Sequence, residues 1–338
     1  MNFGGRILFH ITQHPLHRFF GEKIRASFTV LFVCFFLAGS VATSVAEDKP
    51  TVFVSILPQK YFVEQIAGDL VKVEVMVKPG ASPATYEPKV SQMKQLASCA
   101  IYFAIGVPFE RAWLDRIAGV NPQMQIVRTD QGIEKLSMEK HLHGDEDHGV
   151  HEGHEDHDGH KDQVDKGDKE EAYLHEEGLD PHIWLSPLLV QRQAAIIAAS
   201  LTELLPDQAT FFDANHKAFQ ARLVKLDKEL RQILAGKKGY RFMVFHPSWG
   251  YFAHNYQLVQ VPIEIEGKGP KSSQLKELIL FARKEGIQVI FAQPQFSTKS
   301  AALVAREIDG EVITVDPLAE NWLDNMKSVA EKFRDAIQ

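Results

Sequence analysis

Short runs of apolar, β-branched and aromatic residues recur along the chain at intervals filled by helical-length segments. Thr51–Ile56, Val71–Val77, Ala100–Ile105, Arg241–Phe245, Gln288–Ala292 and Val312–Val315 read as strands buried on both faces. Between them, Tyr61–Ala67, Lys89–Ala97, Gln274–Lys284 and Ala301–Ile308 carry apolar residues at the three-to-four spacing of an amphipathic helix. Strand and helix in alternation predict an α/β protein with parallel sheets flanked by helices.

The alternation breaks twice. From Asp207 to about Gly236 one helical pattern continues unbroken, with Phe212, Phe219, Leu223, Leu226, Leu230 and Ile233 on one stripe and Gly236 as a stop signal. We read it as a rigid strut joining two α/β lobes, residues 47–206 and 237–338, with the linking helix at 207–236. From 139 to 178 the pattern disappears into a low-complexity tract of His, Asp, Glu, Gly and Lys. That composition cannot bury a core and predicts a mobile loop within the first lobe.

The N-terminus needs separate treatment. Arg6, Arg18, Lys23 and Arg25 precede an apolar run from Phe28 to Ala38, followed by small residues at Ser44 and Ala46. This is the layout of a secretory signal peptide over residues 1–46, and the apolar run is short for a membrane span. Export to the periplasm follows as the expectation. Val33 precedes Cys34 where a lipoprotein signal needs a small residue, so the expected product is soluble. Cleavage leaves Cys99 as the single cysteine, which excludes an internal disulfide framework.

Charge sharpens the picture of the tract. The whole chain carries −7, yet Glu139–Asp180 alone holds sixteen acidic and four basic residues, so the remainder is +5. No Lys/Arg stripe interleaved with aromatics is present, and no nucleic-acid partner is expected. Within the tract, His141, His143, His148, His151, His154, His157 and His160 fall inside twenty residues. Neutral imidazole suits Zn²⁺, Cu²⁺ and Ni²⁺, so a flexible chain of such rings offers several weak, exchangeable metal sites.

Candidates for a fixed site lie on ordered elements. His182 sits in Asp180-Pro-His-Ile-Trp-Leu-Ser-Pro187, just before a helix. His246 and Asp316 each follow an apolar strand, in Phe245-His-Pro-Ser-Trp-Gly and Val315-Asp-Pro-Leu318. Open α/β sheets place ligands outside the carboxyl ends of their strands. Two imidazoles and a carboxylate form a borderline set for Zn²⁺ or Mn²⁺. Separations of 64 and 70 residues do not by themselves bring the three together, and each also has an ordinary structural reading.

From Thr51 to Gln338 the chain resembles the zinc/manganese class of ABC-transporter solute-binding proteins, the ZnuA-like family. The resemblance rests on Ile56-Leu-Pro-Gln-Lys-Tyr-Phe, Val77-Lys-Pro-Gly-Ala-Ser-Pro-Ala-Thr-Tyr-Glu-Pro88, a His-rich insert, Asp180-Pro-His-Ile-Trp-Leu, Phe245-His-Pro-Ser-Trp-Gly-Tyr-Phe-Ala253 and Phe291-Ala-Gln-Pro-Gln-Phe-Ser297. It implies two lobes with metal between them, ligand roles for His182, His246 and Asp316, and delivery of Zn²⁺ to a membrane permease with its ATPase by a monomeric, non-enzymatic protein. One departure stands out: the family's first loop supplies a histidine where this chain has Ala84. Water, Glu87 or a histidine of the tract are the candidates to complete the coordination. Mn²⁺ or Fe²⁺ capture is the alternative within the class. A zinc hydrolase and a free-standing zinc buffer are alternatives outside it; the first lacks an H-E-x-x-H motif or an evident general base.

Overall fold

The computed structural model describes residues 49–138, 178–264 and 269–337. The predicted signal peptide and the seven histidines between 141 and 160 lie outside these residues. The described residues from Lys49 onward form one compact unit.

The first half is a strand–helix alternation: β1 Thr51–Val54, α1 Leu57–Ala67, β2 Lys72–Val75, α2 Val90–Leu96, β3 Cys99–Ala104, α3 Pro108–Val120 and β4 Gln125–Arg128. Its four strands are all parallel, in the order β2-β1-β3-β4. Next come α4 Pro187–Leu204 and the long α5 Ala209–Ile233. The second half then repeats the plan with β5 Arg241–Val244, α6 Gly250–Tyr256, β6 Val259–Pro262, α7 Ser272–Lys284, β7 Val289–Ala292, α8 Lys299–Glu307, β8 Glu311–Thr314 and α9 Trp322–Ala336. Its strands are parallel in the order β6-β5-β7-β8. Two lobes of this kind, joined by a long helix, are the predicted fold class.

α5 is 25 residues long, roughly 37 Å at 1.5 Å per residue. Phe212, Phe219, Leu223, Leu226 and Leu230 form its buried stripe, and it packs against α1, α4 and α9. One continuous apolar core runs from the first lobe past α5 to one face of the second sheet; a smaller core, containing Met243, Val261 and Ile290, fills its other face. α9 closes the large core. Phe333 lies with its ring centroid 4.4 Å from those of both Phe242 and Phe291 and 5.6 Å from that of Trp249. At the other end of α9, Trp322 meets Phe62 of α1 edge-on at 5.1 Å.

The first-half loop after β2 is pinned at several points. Met76 and Val77 continue the sheet by donating to Val54 O and Ser55 O, both at 2.9 Å. The Gln92 amide donates to Met76 O at 2.6 Å and accepts from the Tyr86 hydroxyl at 2.7 Å. Phe109 N donates to Pro83 O at 3.1 Å, tying the loop to the start of α3. Burial pushes the Glu110 carboxyl up to about 7; it nonetheless accepts from Ser55 and from the Ile105 and Gly106 amides.

Candidate metal centre

The Asp180-Pro-His sequence folds back on itself. Asp180 Oδ1 accepts from His182 N at 2.9 Å and from the ring Nδ1 at 2.7 Å, the local side-chain-to-backbone turn that aspartate favours. A one-turn 3₁₀ helix, Ile183–Leu185, follows. Ser186 then caps α4 by accepting from Leu189 N at 3.3 Å, with Pro187 in the first turn. The imidazole is therefore held by its own local turn, with an ordered helical segment directly after it.

His246 leaves the end of β5, on the strand from which the chain turns first to β6 and then to β7. That reversal of strand order is where open α/β sheets form their crevice. Gln293 brackets its backbone, accepting from His246 N at 3.1 Å and donating to His246 O at 2.6 Å. Phe296 stacks on its ring at 4.5 Å. Glu264 faces Nδ1, with both carboxylate oxygens at 3.1 Å.

His182 and His246 come together across the two lobes, with ring centroids 5.3 Å apart. Both are turned so that Nδ1 meets a buried carboxylate, Asp180 for one and Glu264 for the other. Each Nε2 is thereby left as the lone-pair nitrogen, the orientation that carboxylate partners impose on metal-binding histidines. Burial, joined by the neighbouring His182 ring, holds the His246 imidazole below its ordinary value, against the opposing pull of Glu264. That ring stays neutral, and able to ligate, to lower pH than a free histidine.

Asp316 stands apart from the pair. It lines a cleft of about 190 Å³ with Val77–Gly80 of the first lobe and Gln295 and Leu318 of the second. Its Oδ1 accepts from the Gln295 amide at 2.7 Å and from Leu318 N at 2.9 Å. Among the described residues no three His, Cys, Asp or Glu side chains converge as a ready-made metal cage. The link to the histidines runs through Trp184: its indole N–H donates to Pro317 O at 2.7 Å, and its ring lies 5.1 Å from that of His182. Ala84 and Glu87 are both exposed on the first-lobe loop.

The comparisons with known proteins fit this geometry. Residues 52–336 match the family described as ZnuA, zinc-uptake complex component A, periplasmic. The chain belongs to this family. A crystal structure of ZnuA is 41% identical, covers 86% of this chain and 99% of its own, and superposes with a TM-score of 0.73. A ZnuA deletion mutant with zinc bound gives 41% and 0.72 over the same shares. The high-affinity zinc uptake system protein ZnuA of Bacillus subtilis (strain 168) is 25% identical over 330 residues, 91% of this chain and 96% of that one. As a ZnuA-family member the chain is the solute-binding component of an ABC zinc-uptake system and not an enzyme. The hydrolase and free-standing buffer readings therefore fall away.

Asp180 and Glu264 are the two residues that sequence reasoning did not single out. Asp180 was legible in principle, because an Asp two residues before a candidate ligand His is the local turn just described. Glu264 lies eighteen residues beyond His246 at the end of a different strand, and only the β5–β6 pairing brings it alongside.

Gly250 follows from the same arrangement. A Cβ built there lies 2.5 Å from Asp180 Oδ2, so the helix α6 backbone abuts the carboxylate that orients His182. Gly250→Ala is expected to displace Asp180 and to lower zinc affinity by roughly 10–100-fold, the range for loss of an outer-shell partner. Chelator competition on the purified variant checks this, and affinity equal to wild type would remove Asp180 from the site.

Proposed function

We propose that the chain captures Zn²⁺ through the Nε2 atoms of His182 and His246, with Asp316 as an oxygen ligand, and hands it to the permease and ATPase of its transporter. The observation that supports this reading best is the pair of carboxylate-held imidazoles meeting across the two lobes. Water takes the coordination place that Ala84 leaves open, ahead of Glu87 or a tract histidine. Mn²⁺ or Fe²⁺ is the second reading, favoured by the carboxylate oxygen of Asp316. We further place cleavage of the export signal after Ala46, the product in the periplasm as a monomer, and the lobe divisions at 206/207 and 236/237.

The test separates the fixed site from the tract. Deleting residues 141–175 is expected to lower the number of zinc ions bound while leaving one tight site, because His182 and His246 are held on folded elements. Isothermal calorimetry counts both. Loss of the tight site would show that a tract histidine supplies a primary ligand, most simply at the position of Ala84.

A further inference from the structure

The segment Gln293-Pro-Gln-Phe296 clamps both ligand-bearing stretches of the second lobe. Gln293 and Phe296 hold His246, as described above; Gln295 holds Asp316. The Gln295 contact has a chemical consequence beyond mere support.

A carboxylate oxygen has two lone pairs. Asp316 Oδ1 spends both, one on Gln295 Nε2 at 2.7 Å and one on Leu318 N at 2.9 Å. Only Oδ2 retains free lone pairs, so Asp316 can offer a cation one oxygen and not two. The amide orientation is set by the same contact, because turning it over would place two acceptor oxygens 2.7 Å apart. Gln295 Oε1 is then left buried with no hydrogen-bond partner, in a residue that lines the same cleft as Asp316. Oε1 is closed to solvent, so the amide's part at the cleft is its hold on Asp316.

We infer that Gln295 is a metal-specificity residue: it locks Asp316 into one-oxygen ligation. Zinc is satisfied by four ligands and tolerates a single carboxylate oxygen. Harder cations, which take carboxylate, carbonyl and water oxygens in larger number, gain from the second oxygen that Gln295 withholds. Gln295 thus tilts an oxygen-containing site toward zinc. It does so without being a ligand, and in a chain whose first loop lacks the family's histidine.

This inference rests on the proposed role of Asp316, and the experiment keeps the two apart. Zn²⁺ and Mn²⁺ affinities are measured by chelator competition for the full chain and for Gln295→Ala, Gln295→Met and Asp316→Ala, and the absorption spectrum of the Co²⁺-loaded forms is recorded. Gln295→Met keeps the side-chain length without the amide donor and preserves packing if the alanine variant folds poorly. Both Gln295 variants are expected to lower the Zn²⁺:Mn²⁺ affinity ratio by about tenfold or more, the scale of outer-shell effects. They should also weaken the visible Co²⁺ bands as the coordination number rises. An unchanged ratio and spectrum in both variants, with Asp316→Ala altering them, overturns the inference and leaves Asp316 as a ligand. No effect of Asp316→Ala on either metal overturns both.

Discussion

His182→Ala and His246→Ala are each expected to abolish tight zinc binding, with losses beyond the roughly 10–100-fold that follows from removing an outer-shell partner. In the proposed site each ring supplies one of two nitrogen ligands, and among the described residues no third side chain joins the pair as a ready-made ligand. Proton competition gives the same site a pH signature. Zinc needs the neutral ring, so protonation and metal oppose each other. For His246 the folded form releases its proton more readily than the free side chain, whose ordinary value is about 6.5. Its competition with zinc therefore sets in below that value, and affinity should hold through neutral pH and fall only in mildly acidic solution. The same sign applies to stability: a depressed histidine favours folding above its unfolded value, and that contribution is lost as pH falls through the folded one. Chelator competition at several pH values measures the affinity profile. Wild-type affinity in both alanine variants would mean that the chain shares the family's fold without this metal centre.

Phe333→Ala is expected to cost about 3–5 kcal/mol of stability, the range for removing a buried aromatic ring. The residue is fully buried and touches the rings of Phe242, Trp249, Phe252 and Phe291. Truncation leaves a cavity between α9 and the second sheet that four bulky neighbours cannot collapse to fill. Denaturant unfolding measures the change; a loss below about 1 kcal/mol would show that the ring cluster relaxes around the gap. Metal affinity in the folded fraction should change far less, since Phe333 contacts none of the candidate ligands.

What the sequence made legible follows from where its periodicity was strong. Six strands were located within one or two residues, because each is a short apolar run ended by Gly, Pro or a polar residue. β4 and β6 were not. Gln125–Arg128 alternates too briefly to stand out. Val259–Pro262 ends in a proline that argues against a strand, yet β6 is an edge strand where a missing donor is tolerated. α5 was legible because its stripe continues for seven turns. α9 escapes the sequence pattern although Met326, Val329, Ala330 and Phe333 share one face, and it carries much of the core between the lobes. α3, α4 and α6 likewise show no pattern that sets their bounds. His182 and His246 were named individually, but their meeting depends on lobe packing that no spacing encodes. Asp316 was placed correctly at a strand end, while its distance from the histidine pair was beyond the reach of pattern.

The two sheets have one strand order read twice, β2-β1-β3-β4 and β6-β5-β7-β8, and the correspondence extends to single positions. Two residues past β5 stands His246; two past β1 stands Ile56, which lines the cleft. Glu264 lies two beyond β6, as Val77 does beyond β2. Asp316 lies two beyond β8, and two beyond β4 lies Asp130, already engaged by Arg128 at 3.0 Å and Lys135 at 2.7 Å. The molecule thus has the pseudo-symmetry of an internal duplication in which the halves have diverged in chemistry. One half keeps these three strand-end positions polar, around the candidate metal centre; the other has filled two with aliphatic side chains and silenced the third with an internal ion pair.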